Sequence, residues 1–236
     1  PRGYSVRLRA RPCIPVGVMD IESGSQNCGP GMIALSLHGL TVRRGERRLF
    51  EGLNLDVAPG EAVALTGANG AGKSSLLRVI AGLLEPEAGR IRFARAGQTL
   101  ELEVARSRHL HLIGHQDGFR SGRTAGDELA FQVGWCGGDP EAVPGAVRAL
   151  GLDGLMDLEV RRLSAGQRRR LALARLLAAP RPVWLLDEPL SPLDAHWRHE
   201  VGRLMQGHLD DGGILLAAVH DPLPLAARRC EIGGTA

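Results

Sequence analysis

The residues with the clearest chemical purpose are Gly67-Ala68-Asn69-Gly70-Ala71-Gly72-Lys73-Ser74, which read G-x-x-x-x-G-K-S. Glycines at this spacing let the backbone wrap so that successive N–H groups point inward at anionic oxygens. Lys73 is placed to reach outer phosphates, and the Ser74 hydroxyl to ligate a magnesium ion. Ser75 completes the phosphate-facing set. The apolar run Ala62-Val63-Ala64-Leu65-Thr66 leads into the loop with a strand-like pattern. Ser75 to Ala81 leaves it with a helix-like one. A helix N-terminus at that point adds a positive dipole end to the attraction for phosphate.

Two further groups could act on a phosphate. Asp187-Glu188 closes the apolar run Val183-Trp184-Leu185-Leu186. The C-terminal ends of strands are where open α/β sheets bind ligands. There Asp187 is expected to hold magnesium through water, and Glu188 to polarise a water for attack on a γ-phosphate. An acidic pair after an apolar strand also suits a simple turn. The second group, Leu163-Ser164-Ala165-Gly166-Gln167, opens the strongest helical pattern in the chain, Ala165 to Ala179. Ser164, Gly166 and Gln167 would make a second anion-binding helix N-terminus. A purely local reading also fits: Ser164 as N-cap and Gln167 three residues on, in a capping box. That reading leaves unexplained a second phosphate-type site beside a single phosphate loop.

These groups need elements to hold them. Leu53–Val57 and Arg90–Phe93 read as short strands, and His109–Ile113 as another. From about Gly118 to Pro180 the pattern becomes helical, with helices expected at Thr124–Phe131, at Glu141–Leu150 (started late or broken by Pro144) and at Ala165–Ala179. Ile33–Leu37, Val183–Leu186 and Ile214–Val219 read as strands, and Asp194–Gln206 as a helix. Residues 1–31 carry no sustained period and many Pro and Gly. They are expected to be an extension, disordered or poorly docked, ahead of a functional start at Met32. An Arg-bearing targeting peptide is the competing idea.

Composition excludes several classes. Among 236 residues the net charge is only +3, and aromatics are 3%, so neither a basic nucleic-acid face nor a base-stacking platform is indicated. No apolar run approaches the roughly 20 residues that span a bilayer. Cys13, Cys28, Cys136 and Cys230 form no C-x-x-C pair, which suits a reducing compartment. His109, His111 and His115 alternate along one expected strand, and His196 and His199 lie one helical turn apart. With no carboxylate or cysteine beside them, they are read as ordinary histidines rather than metal or haem ligands.

Taken in order, Gly67–Ser74, Leu163–Gln167, Val183–Pro189, Ser191-Pro192-Leu193-Asp194 and His220 resemble the nucleotide-binding subunits of ABC (ATP-binding cassette) transporters, from about residue 32 to the end. The resemblance implies a P-loop NTPase α/β fold. Its RecA-like core and antiparallel β subdomain would fall at about 32–117 and 181–236, with an inserted helical subdomain at about 118–180. It implies ATP and Mg2+ as ligands and a head-to-tail homodimer, in which Ser164, Gly166 and Gln167 of one copy face the ATP on the other's loop. It makes Gln116 a magnesium- and water-contacting residue, Asp194 a dimer-contact residue, and His220 a γ-phosphate contact. Many members carry an adenine-stacking aromatic upstream of the loop. Here that region is Val42-Arg43-Arg44-Gly45, and Arg44 is the candidate replacement.

Gly114-His115-Gln116-Asp117-Gly118, the Ser164-Ala165-Gly166-Gln167 variant and His220-Asp221-Pro222-Leu223 resemble more closely the cytochrome c maturation branch of this family. Asp221 departs from its usual Gln. Membership implies a peripheral subunit on the cytoplasmic face of the inner membrane, docked through about Asp117 to Phe131 on integral membrane subunits, and driving release of a haem-loaded chaperone. The alternatives are the ATPase of another small exporter, or a soluble ABC-type ATPase working outside transport.

Overall fold

The computed structural model of the protein describes residues 32–233, so the expectations for residues 1–31 lie outside the described residues. Two sheets organise the chain. The first is antiparallel, built from β1 (Ile33–Arg44), β2 (Arg47–Val57), β4 (Ala88–Arg95) and the short β5 (Gln98–Thr99), in the order β2-β1-β4-β5. Ile33, Leu35 and Leu37 alternate inward along β1, with Leu35 opposite Val57 on one side and Phe93 on the other. The sequence pattern suggested a strand of 33–37 only. Register shifts after Leu37 break the simple alternation, yet Leu40 and Val42 remain buried and the strand continues to Arg44.

The second sheet is parallel, in the order β6-β7-β8-β3-β9, from β6 (Leu110–Ile113), β7 (Val183–Asp187), β8 (Ile214–Ala218), β3 (Ala62–Thr66) and β9 (Arg228–Glu231). Every residue of β7 and β8 is buried, as expected for strands covered on both faces. Alternate residues serve two cores. Val63, Leu65, Val183, Leu185, Ile214 and Leu216 pack with the antiparallel sheet and with Leu76, Leu77, Val79 and Ile80 of α1 (Lys73–Ile80). Ala62, Ala64, Trp184, Leu186, Leu215 and Ala217 pack on the opposite side. Their neighbours there are α3 (Ala125–Trp135), α4 (Val143–Ala149), α5 (Ala165–Ala178) and α6 (Ala195–Asp210). The parallel sheet is thus the shared middle layer.

Between β6 and β7 the elements are α3, α4 and α5, joined by turns and short 3-10 turns. Pro144 sits in the first turn of α4, where its missing N–H costs nothing, and a single 3-10 turn at Pro140–Ala142 precedes it. Besides the two-residue β5, the helix α2 (Leu102–His109) and the strand β9 had no sequence signal. The helix α2 buries only Ala105, and Arg106 caps the end of α1 by donating to the carbonyls of Val79 and Ile80, both at 3.1 Å. The strand β9 is mostly exposed and joins the sheet edge through backbone pairing with β3.

The helix α2 also corrects the histidine pattern. His109 ends that helix rather than lying on a strand with His111, and its ring approaches Arg95 at 3.2 Å. His111 is 2% exposed, with Nε2 2.6 Å from the Ala179 carbonyl, so this nitrogen carries the proton and donates. His115 is exposed in the loop after β6. Among the described residues no three His, Cys, Asp or Glu are grouped to hold a metal.

Burial, outweighing the hydrogen bond to Ala179 and helped by Arg175, Arg181 and His208, lowers the His111 pKa to about 3. The unfolded chain therefore takes up a proton near pH 6.5 that the folded chain refuses, and stability falls as pH drops below that point. We expect His111 to contribute a loss of about 2 kcal/mol between pH 6.5 and 5, read by chemical denaturation. The His111→Gln variant should lose correspondingly less over that interval. Parallel pH profiles for the two proteins would contradict this.

Candidate nucleotide site

The loop Gly67–Gly72 leaves the C-terminal end of β3 and closes on the first residue of α1. Gly67 and Gly72 are required by approach as well as by turn geometry. Gly67 has φ +131°, and a Cβ there would lie 2.4 Å from the Ile232 carbonyl oxygen. Gly72, at φ +111°, caps α1 in the left-handed region, and its Cβ would meet Phe50 at 3.0 Å and Leu49 at 3.1 Å. The loop is thus wedged between the start of β2 and the chain just beyond β9, where Ile232 N–H donates to Thr66 O at 2.8 Å.

Lys73 is 7% exposed, and its ammonium donates to the carbonyls of Gly67 at 2.7 Å and Ala68 at 3.2 Å. The cation is held over the loop that carried it there. Ser74 Oγ donates to Asp187 Oδ1 at 3.0 Å, joining the start of α1 to the end of β7. Asp187 is 5% exposed. A hydroxyl and a carboxylate brought together are hard oxygen donors of the kind magnesium takes, so this pair fits that ion.

Glu188 follows in the left-handed region at φ +50°, rare for a non-glycine residue and costing on the order of 1–2 kcal/mol. Its N–H donates to Ala218 O at 2.9 Å, which fixes the turn against β8. Its Oε1 lies 2.8 Å from Nε2 of His220, just beyond the end of β8. Arg44, Leu49, Asn69 to Ser75, Asp187, Glu188 and His220 line one open cleft of about 260 Å3. No Phe, Tyr or Trp is among them. Phe50 is turned behind the loop, and Arg44 is exposed at the rim.

The remaining sequence-selected residues lie elsewhere. Gln116 is exposed and borders an adjoining cavity of about 600 Å3, which Glu188, Ser191 and Ala165 also line. Glu188 is therefore the wall between the two spaces. Ser164 caps α5: its Oγ accepts from Gln167 N–H at 3.2 Å, and Gln167 Oε1 accepts from Ser164 N–H at 2.8 Å. The capping box is complete. A Cβ on Gly166 would meet Pro192 O at 2.9 Å, so this glycine is also required by packing within the chain. Ser164, Gly166 and Gln167 do not line the Lys73 cleft. Asp194 caps α6 by accepting from Trp197 N–H at 2.9 Å. Burial raises the Asp117 carboxyl above its usual range, against the pull of Arg169, Arg168 and His115.

Sequence reading missed three contributions. Ile232 closes the base of the loop; only its close approach to Gly67 reveals this. The Glu188–His220 contact joins residues far apart in the chain with no shared pattern. Asp221, the departure noted above, lies 3.3 Å from Arg198, whose Nε donates to Leu193 O at 3.0 Å. Both partners are well exposed, so the pair itself adds little stability.

A strand–glycine loop–helix unit, a carboxylate pair ending the neighbouring strand but one, and a histidine ending the strand between them define a nucleotide-binding P-loop domain. Residues 50–191 match the ABC transporter family, and the chain belongs to it. Within the family it is similar to the cytochrome c biogenesis ATP-binding export protein CcmA of Rhodopseudomonas palustris strain BisB5. The two are 48% identical over 202 residues, covering 86% of this chain and 99% of that protein. CcmA of Nitrobacter hamburgensis is also 48% identical, covering 85% of this chain and 98% of its own length. The fold is shared with a putative ABC transporter ATP-binding protein from Pyrococcus furiosus at TM-score 0.72 and 21% identity, covering 84% of this chain and 97% of that one. It is shared too with a dimeric ATP-binding cassette bound to ADP and Pi, at TM-score 0.68 and 23% identity, covering 79% and 88%. Among the described residues no helix is long and apolar enough to cross a membrane.

Proposed function

We propose that the chain is the ATP-hydrolysing subunit of an ABC export complex serving cytochrome c biogenesis. The observation that carries the hydrolase reading is the convergence of Lys73, Ser74, Asp187, Glu188 and His220 on one cleft. The biogenesis assignment is supported by the extent and identity of the match to the CcmA proteins.

In this reading the inward N–H groups of Gly67 to Gly72 and the α1 N-terminus bind the phosphates of ATP. Lys73 exchanges its loop carbonyls for the outer phosphate oxygens. Ser74 and Asp187 would hold Mg2+, which would supply neutralising charge to the phosphates. Glu188 accepts a proton from the water that attacks the γ-phosphorus. His220, already 2.8 Å from Glu188, orients that carboxylate and reaches the γ-phosphate. Gln116 enters from the adjoining cavity, on the far side of Glu188. Catalysis is positioning and electrostatics, with no covalent enzyme intermediate.

The proposed assembly is a head-to-tail homodimer, supported by the dimeric state of the ADP- and Pi-bound cassette of the same fold. Ser164, Gly166 and Gln167 of each copy would face the nucleotide on the other. Their local capping and packing hold that surface ready without a ligand. The dimer would dock on integral membrane subunits at the cytoplasmic face of the inner membrane, with residues 117–131 toward them. Closing and opening would drive release of a haem-loaded chaperone.

Two outcomes are expected. Glu188→Gln should keep ATP binding while slowing hydrolysis about 100-fold or more in a steady-state assay. A wild-type rate would remove Glu188 as the base. Second, with Arg44 and Leu49 rather than an aromatic ring at the rim of the cleft, GTP should compete with ATP within a few-fold. A strong preference for ATP in the competition assay would exclude this account of the base site.

A further inference from the structure

The three arginines that follow Gln167 look alike in sequence and do different things. Arg168 donates to Leu163 O within its own turn. Arg170 donates to Leu150 O at 2.6 Å and lies over the Trp197 ring at 4.1 Å. Arg169 points the other way, into the loop that carries Gln116, and is 3% exposed. Its Nη1 donates to Gly114 O at 2.9 Å, and its Nη2 to His115 O at 3.0 Å. Nη1 also lies 3.2 Å from Asp117 Oδ1. The guanidinium therefore grips the chain on both sides of Gln116, through two carbonyls before it and a carboxylate after it.

We propose that Arg169 is a positioning residue that ties Gln116 to the α5 N-terminus, so that displacement of Ser164–Gln167 is transmitted to the Gln116 loop. Three features support this over simple packing. A buried cation is costly unless its surroundings satisfy it, and an apolar side chain would fill the space more cheaply. Two neighbouring backbone carbonyls match a planar fork, which a lysine cannot reproduce. And the grip is incomplete: Asp117 Oδ1 and Arg169 Nε are buried without an aligned hydrogen-bond partner. Asp117 attracts the guanidinium by charge while the directed bonds go to the carbonyls. Such a contact can re-form with the loop shifted, whereas a fully bonded one is locked. Arg169 lies two residues beyond Ser164-Ala165-Gly166-Gln167 on the same helix, so the link from that surface to Gln116 is a single side chain long.

The inference rests on the hydrolase reading for its consequence, and on the structure alone for the tether. Two measurements on the full chain separate these. Without nucleotide, hydrogen exchange of residues 114–118 should quicken by at least roughly three- to tenfold in Arg169→Met, the range for one net hydrogen bond where this variant removes two, and less in Arg169→Lys. Unchanged exchange overturns the tether whatever the enzyme does. With Mg2+ and ATP, Arg169→Lys should lower kcat with little change in KM. Combined with Gln116→Ala it should be no slower than Gln116→Ala alone, since both remove the same placement. Multiplying effects would overturn the link to Gln116. If exchange responds as expected but the wild type does not hydrolyse ATP, the tether stands, and the hydrolase reading and the transmitted role fall.

Discussion

The structure depends on one close approach: the bend at Gly67, pressed against the Ile232 carbonyl where β3 ends. A side chain there would collide with backbone that is itself hydrogen-bonded to Thr66. With that contact made, the loop can only turn back over the sheet edge, and α1 must begin at Lys73 with its N-terminus facing the ends of β7 and β8. The Ser74–Asp187 hydrogen bond and the Glu188–His220 contact follow from this placement. Three neighbouring parallel strands, β7, β8 and β3, each deliver part of the site at the same edge, because in a parallel sheet all C-terminal ends lie together.

The site is also economical in its charges. Lys73 and Asp187 are both buried, and each has a partner within the protein: loop carbonyls for the ammonium, the Ser74 hydroxyl for the carboxylate. Buried charges without such partners would be several kcal/mol less favourable. In the proposed cycle these contacts are exchanged for phosphate and magnesium, so binding need not desolvate the groups anew. The strained Glu188 backbone fits the same pattern. Its left-handed conformation persists because its N–H is fixed to Ala218, and it places the carboxylate between the two cavities.

Much of this was legible in the sequence, for identifiable reasons. The loop was visible because its glycines occupy positions that only glycine can fill. The strands β3, β7 and β8 were visible because burial on both faces demands unbroken apolar runs. The helix α5 was announced by its capping box, Ser164 and Gln167. What stayed hidden lacked a local signature. The strand β9 reads Arg228-Arg229-Cys230-Glu231, and joins the sheet through backbone groups that carry no residue preference. The helix α2 has almost no buried face, so no period marks it, and the alternation of His109 with His111 suits a strand as well as the helix end His109 occupies. The separation of Gln116 from the Lys73 cleft, and the different duties of Arg168, Arg169 and Arg170, are properties of three-dimensional neighbours. Family likeness conveyed the order of the motifs; it did not convey which cavity each one borders.

The central claim is that one chain contains half of each of two composite nucleotide sites. The most direct measurement is a structure of the full-length Glu188→Gln protein with ATP and Mg2+. The account predicts two chains head to tail, with each γ-phosphate between Lys73 of one copy and Ser164 and Gly166 of the other. A nucleotide enclosed by a single chain, with the Ser164–Gln167 surface facing solvent, would contradict it.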